Sequence, residues 1–373
     1  MEQNFYSEKL LELKNNFSVK IISGVRGVGK TTLLKNFAEN LRAEGVAEEE
    51  IIFIDCAAQE RFRNFQTFYE FVEGRTIDLE KFFLLVDDID YVAECEKAIN
   101  ALFVGAPAEI YITCSGDTLV EKISALLPDN CDVLKIYPLS FADYAKTFPS
   151  KDALQNYLHF GGLPETLGAG KNILPKFLRG ISYEIMFELI EKNSLQRADI
   201  LRLLIKSLAQ NAGKPINLNQ LIERLDCAPL TFRNYLSCVA GLFNRIPRLD
   251  IKSGNFLIGG EKIYCVDNGI LSALAEVDET TLMENAVYVE LLRRGFKVSS
   301  GKFGAMNISF VAARDDKKIF IQILPTSGVS VRKSTRPLRA LPEDAEKILI
   351  TLKREKNFGN IKNIVLRDFL SGL

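Results

Sequence analysis

Short apolar runs alternate with stretches of helical periodicity through the first 150 residues. The runs Val19–Ile22, Ile51–Asp55, Phe83–Asp87, Ile110–Cys114 and Val133–Tyr137 predict strands. Between them, Thr31–Arg42, Cys95–Phe103 and Thr118–Leu127 predict helices. Near-continuous apolar strands separated by helices predict a parallel sheet covered on both faces. After Pro138 the period changes, and residues 141–210 read as helices with few strand runs. Between Ile216 and Ile246 a helix over Asn219–Leu225, a turn at Cys227–Pro229 and a helix over Thr231–Leu242 suggest a winged helix-turn-helix. Beyond Gly254 the pattern is mixed again. Strands are expected at Phe256–Ile258, Ile263–Val266, Val298–Ser300, Ile308–Ala312, Ile319–Leu324 and Ile348–Leu352, with a helix over Val287–Arg294.

Charge divides the chain. Residues 1–150 carry a net −10 and residues 151–373 a net +9, although the whole chain sums to −1. A basic half suits either the acidic half or an acidic partner such as DNA. Residues 201–250 hold seven Lys+Arg against three Asp+Glu, and Arg233 and Asn234 on the second helix are the candidate DNA contacts. The stretch VRKSTRPLRA, Val331 to Ala340, is a second basic patch whose default reading is a solvated loop. Seven scattered cysteines without a C-x-x-C pair, and one histidine, argue against a zinc site and for reduced thiols. No apolar run approaches the roughly 20 residues that span a bilayer, and MEQNFYSEKLLELKNNF lacks the apolar core of a signal peptide. A soluble, cytoplasmic protein without a membrane partner is expected.

The strongest chemical signal is ISGVRGVGKTTLL, Ile22 to Leu34, which fits G-x-x-x-x-G-K-[ST] between a predicted strand and a predicted helix. Gly24, Val25, Arg26, Gly27, Val28 and Gly29 would turn backbone N–H groups around phosphate oxygens. Lys30 would reach the β- and γ-phosphates, Thr31 would ligate Mg²⁺, and Thr32 lies beside it at the positive end of the helix. KFFLLVDDID, Lys81 to Asp90, is an apolar strand ending in acids. Asp87 suits the Mg²⁺ shell, and Asp88 stands where a water-polarising base belongs. IYITCSGD, Ile110 to Asp117, offers Thr113 or Ser115 to the attacking water or the γ-phosphate; capping of the next helix by Ser115 or Asp117 is the competing reading.

These pieces in this order resemble an AAA-type P-loop ATPase. More narrowly, the chain resembles a bacterial and archaeal family of predicted ATPases with a C-terminal domain of unknown function. IYPLSFADY (Ile136 to Tyr144), YLHFGGLPETL (Tyr157 to Leu167), KIYCVDNGI (Lys262 to Ile270), MENAVYVELLRRGF (Met283 to Phe296) and KILITLKRE (Lys347 to Glu355) carry that resemblance over most of the chain. It implies an α/β fold with a five-stranded parallel P-loop sheet, the sensor strand lying between the loop strand and the acidic strand. It implies an ATPase domain over residues 1–148, a helical lid with winged helix over 149–252, and a restriction-endonuclease-like α/β domain over 253–373.

The departures from that family sharpen the expectation. Asp87-Asp88-Ile89-Asp90 replaces the family's Asp-Glu-Ile-Gln, Cys114-Ser115 replaces Gly-Ser, and Leu127–Val133 lacks the arginine that usually precedes Pro-Leu-Ser-Phe. In the nuclease-like domain Ser309, within Asn307–Val311, and Leu324, within Ile321–Pro325, stand where a metal-binding acid and a lysine belong. Glu284 alone remains, so a scaffold without cleavage chemistry is expected. The chain is thus expected to bind ATP and Mg²⁺ and to hydrolyse ATP slowly, with Asp88 and Ser115 catalytic. Nucleotide state would position the winged helix and C-terminal domain. The alternative is a nucleotide-gated scaffold or DNA-binding regulator with little turnover. DNA, a protein partner or a second copy of the chain remain open as partners.

Overall fold

The computed structural model describes residues 2–324 and 330–372. Pro325, the last residue of one stretch aligned above, lies outside them. The chain divides into two compact units, one of residues 1–137, 184–198 and 237–241, the other of 138–183, 199–236 and 242–373.

The first unit is built on strands β1 (Val19–Ser23), β2 (Ile51–Asp55), β3 (Phe82–Asp87), β4 (Ala108–Cys114) and β5 (Cys131–Lys135). Their order is β2-β3-β4-β1-β5, and every neighbouring pair is parallel. The expected sheet is therefore present, with β4 between β1 and β3. All six residues of β3 and all five of β1 are buried, as sheet interiors covered on both faces require. Helices Lys30–Ala43, Phe65–Thr76, Cys95–Gly105 and Asp117–Leu126 supply the cover. The edge strand β5 begins two residues before the expected Val133, because Cys131 already pairs with Val19. The competing capping role fails: Gly116 caps the Asp117–Leu126 helix without a side-chain bond, and Asp117 pairs with Lys135 at 2.7 Å.

The second unit holds a seven-stranded mixed sheet. Its strands are β6 (Phe243–Asp250), β7 (Phe256–Cys265), β8 (Lys297–Phe303), β9 (Met306–Arg314), β10 (Lys317–Ile323), β11 (Glu346–Thr351) and β12 (Ile361–Val365). The order is β12-β11-β10-β9-β8-β6-β7. β7 merges two expected strands, while β6 and β12 are additional. β6 was hidden because Phe243, Ile246 and Leu249 are buried at a spacing of three. A bulge between Ile246 and Arg248 breaks the twofold alternation. The helix before it consequently ends at Cys238 rather than Leu242. The basic patch is not a solvated loop: Val331–Ser334 and Arg336–Arg339 form two short helices. Leu338 is fully buried in the core beside Ile308, Val311 and Leu349.

Three of the stretches that carried the family resemblance meet in one polar knot. Buried Asp267 accepts hydrogen bonds from the backbone N–H of Gly162 (2.8 Å), Gly269 (2.7 Å) and Ile270 (3.1 Å). Asn268 donates to the carbonyls of Leu158 and Leu282, and Asn285 donates to Cys265 O and Asn268 Oδ1. These side chains satisfy backbone groups that burial would otherwise leave unpaired. Burial raises the Asp267 pKa, and the three N–H donors oppose that rise.

The knot accounts for Gly161, which has φ +71° and faces the Asp267 carboxylate so closely that a Cβ would lie 2.1 Å from Oδ1. Gly168 has φ +91° but open space around it. Gly168→Ala should cost about 1–3 kcal/mol from backbone strain alone, and Gly161→Ala at least about 1–3 kcal/mol more from the clash. Urea unfolding of both variants checks this; equal losses would contradict it.

Candidate functional site

The loop between β1 and the Lys30–Ala43 helix has the geometry that its glycines predict. Gly27 and Gly29 take φ +81° and +98°, and a Cβ on Gly24 would meet Ile136 O at 2.6 Å. Lys30 is buried, and its ammonium donates to the carbonyls of Gly24 (2.9 Å) and Val25 (3.4 Å). Burial lowers its pKa, while Asp88 and Asp90 act in the opposite direction. Thr31 and Thr32 open the first turn of the helix. The Arg26 side chain is paired with Glu184 (3.0 Å) and Glu188, both on the Leu174–Lys192 helix.

The acids stand at the carboxyl end of β3. Asp87 is 2% exposed and accepts a hydrogen bond from Thr113 Oγ1 at 2.6 Å. The same hydroxyl accepts from the backbone N–H of Asp88 at 2.8 Å. The Thr113 hydroxyl thus holds Asp87 and Asp88 in place. Asp88 sits in the left-handed region, with φ 51° and ψ 50°, which aspartate tolerates better than most residues. Burial raises its pKa, opposed by Lys192 and Lys30. Asp90 Oδ2 accepts from Ser115 N at 3.0 Å, and its Oδ1 is buried with no partner among the described residues.

The sequence missed one member of this group. Lys192, at the end of the Leu174–Lys192 helix, has a side chain only 5% exposed. Its ammonium lies 3.2 Å from Asp90, 3.5 Å from Glu188 and 3.9 Å from Asp88. It also donates to Ser115 Oγ at 3.2 Å and sits over the Tyr91 ring, 4.6 Å from its centroid. Glu188 and Lys192 are spaced i, i+4, which alone reads as an ordinary surface pair. The other partners of Lys192, Asp88, Asp90 and Ser115, lie far upstream in sequence, so nothing local announces them.

Residues 16–145 match the family model of an AAA domain, and residues 151–281 match that of a domain of unknown function, DUF8612. An uncharacterized protein of Haemophilus influenzae is 29% identical over 389 residues, spanning 98% of this chain and 97% of that protein. A Walker-type ATPase of Pyrococcus abyssi aligns at TM-score 0.51 and 13% identity over 73% of this chain and 95% of its own. At that identity the likeness is one of fold alone. The ORC1 protein of Aeropyrum pernix, solved in complex with DNA, aligns at TM-score 0.37 and 13% identity over 78% and 94% of the two chains, which is too distant to carry an argument. Residues 16–145 thus carry an AAA-type domain, and that match supports nucleotide binding by it, with Mg²⁺ as the usual companion of the nucleotide.

The AAA-type domain also fits Mg²⁺-nucleotide on its own geometry. The Lys30 ammonium is held by loop carbonyls that a phosphate would replace, Thr31 lies one residue on, and Asp87 is fixed by Thr113. Elsewhere, Arg233 and Asn234 occupy exposed positions on the Pro229–Cys238 helix. Glu284 accepts from Tyr264 OH (3.0 Å), Ser309 Oγ (3.2 Å) and Lys262 Nζ (3.3 Å). No helix among the described residues is long and apolar enough to cross a membrane.

The raised Asp88 pKa carries a stability consequence. A carboxyl held above its ordinary pKa favours folding when protonated, and that contribution is lost as pH rises through the folded-state pKa. At pH 7 the ionised Asp88 therefore works against the fold, and Asp88→Asn should raise the melting temperature. The gap should narrow as pH falls toward the ordinary carboxylate range. Thermal melts of both proteins from pH 7 to pH 5 test this; a lower melting temperature for Asp88→Asn at pH 7 would refute it.

Proposed function

We propose that the chain is an ATP-binding AAA-type protein that hydrolyses ATP slowly, and that nucleotide state is passed from the loop to the helical and C-terminal parts of the chain. The observation that carries this reading is the joint placement of the loop lysine, Thr31, Asp87 and Asp88 around the carboxyl ends of β1 and β3. Lys30 would leave the Gly24 and Val25 carbonyls for the β- and γ-phosphates. Thr31 and Asp87 would hold the metal, Asp87 through water. Mg²⁺, when bound there, would supply positive charge against the negative charge that develops during transfer. Asp88 would accept a proton as water attacks the γ-phosphorus and the bond to the bridging oxygen breaks; Ser115 would orient that water.

Two features support slow turnover. Asp88 is one methylene shorter than glutamate, and misplacement by about 1 Å can cost about a hundredfold in rate. No arginine lies in Leu127–Val133; a positioned arginine is worth about 10³–10⁵ in rate, so this loss outweighs the shorter acid. The Leu174–Lys192 helix supports transmission, since its residues fall in both compact units. We read the helices Leu218–Leu225 and Pro229–Cys238 with the β6–β7 hairpin as the winged helix, its strands joined to the larger sheet by the pairing of β6 with β8.

Mg²⁺-ATP at a hundredfold excess over Kd should stabilise the wild type by about 2.7 kcal/mol and leave Lys30→Ala unshifted. Steady-state phosphate release should be slow, rise up to about a hundredfold in Asp88→Glu, and vanish in Asp87→Asn and Lys30→Ala. Absence of a thermal shift in the wild type would end the reading as a nucleotide protein. Brisk turnover that Asp88→Glu fails to improve would place the base elsewhere.

For the C-terminal part we propose a scaffold without strand cleavage. What supports this is the company of Glu284, whose two oxygens already accept from a lysine, a tyrosine and a serine. Supercoiled plasmid incubated with the protein and Mg²⁺ or Mn²⁺ should stay intact. Nicking that Glu284→Ala abolishes would overturn the proposal.

A further inference from the structure

We propose that Lys192 is the cation that reads the γ-phosphate, and that without nucleotide it rests on Asp88, Asp90 and Ser115; the proposal rests on the nucleotide-site reading above. Lys192 is a buried ammonium at the end of a helix, and Asp88, Asp90 and Ser115 beside it come from the chain just after β3 and β4, at the edge of the sheet where the nucleotide loop also lies. Its ammonium donates to Ser115 Oγ and forms ion pairs with Asp90 and Glu188, with Asp88 at the longer distance of 3.9 Å. It is therefore held between the water-orienting hydroxyl and the proposed base, which is where the terminal phosphate must lie for attack.

Charge makes the exchange favourable. Asp87, Asp88, Asp90 and Glu188 crowd four carboxylates about Lys30 and Lys192. The two ammonium groups are close enough for Lys192 to lower the pKa of Lys30. A γ-phosphate between them relieves that repulsion and offers Lys192 an anion richer in charge than one carboxylate. ADP lacks the group and leaves Lys192 on the acids. Because Glu188 stays one turn away on the same helix and also holds Arg26, movement of Lys192 alters the pairing of the whole Glu184–Lys192 segment with the loop.

A pure counter-ion role predicts something different. If Lys192 only fastens its helix to the acids, removing it affects ADP and ATP alike. Calorimetry on the full chain with Mg²⁺ separates the two, using ADP and a non-hydrolysable ATP analogue as probes. The wild type should prefer the analogue. Lys192→Met should lose that preference by about tenfold to a hundredfold, the worth of one charge-assisted hydrogen bond, with ADP affinity within about threefold of wild type. Lys192→Arg should keep it. Lys192→Gln, which retains a donor for Ser115, gives the same comparison should the methionine variant fail to fold. An unchanged analogue-to-ADP ratio in the uncharged variants would overturn the proposal. Failure of the wild type to bind either nucleotide would instead overturn the nucleotide reading itself.

Discussion

The balance of charge at the carboxyl ends of β3 and β4 governs this protein. Asp87, Asp88 and Asp90 are brought together by the end of β3 and the short 3-10 turn that follows it, and burial makes the negative charge on Asp88 costly. Thr113 and the backbone of Ser115 fix two of the acids in place. Lys30 and Lys192 supply the positive charge, one from the loop and one from a helix far away in sequence. Without nucleotide Lys192 rests on the acids, whereas Lys30 rests on the carbonyls of Gly24 and Val25. On the proposed reading phosphate draws both cations, Lys30 from the loop carbonyls and Lys192 from the acids.

The scaffold that permits this is conventional in its forces. Apolar strands buried on both faces align the loop after β1 beside the acids after β3, because parallel neighbours deliver their carboxyl ends to one edge. In the second unit a comparable concentration of polar groups holds backbone together. Asp267, Asn268 and Asn285 tie a glycine turn, a short helix and a long helix together. At the loop site, by comparison, the buried Asp90 Oδ1 has no partner among the described residues.

The loop and the acidic strand were legible in the sequence because their demands are local: glycines where backbone must turn sharply, and an apolar run ending in carboxylates. The sheet order was implied by the family resemblance rather than by the pattern itself. Lys192 was not legible, since its partners are separated from it by about a hundred residues and the helix pattern marks it only as one of a surface pair. β6 escaped because a bulge near Pro247 shifts its buried positions to a spacing of three. The bond from Thr113 to Asp87 was not legible either, since it joins the ends of two strands 26 residues apart. The Asp267 knot lay within stretches marked by resemblance, yet their chemistry became readable only when the glycine turn was seen against the carboxylate.

The most direct test of this account is a structure of the full chain with Mg²⁺ and a non-hydrolysable ATP analogue. The account predicts Lys30 on the β- and γ-phosphates rather than on Gly24 O, metal beside Thr31 and Asp87, and Lys192 within hydrogen-bond reach of the γ-phosphate. Nucleotide bound elsewhere, or Lys30 and Lys192 still held by the loop carbonyls and the acids, would contradict it.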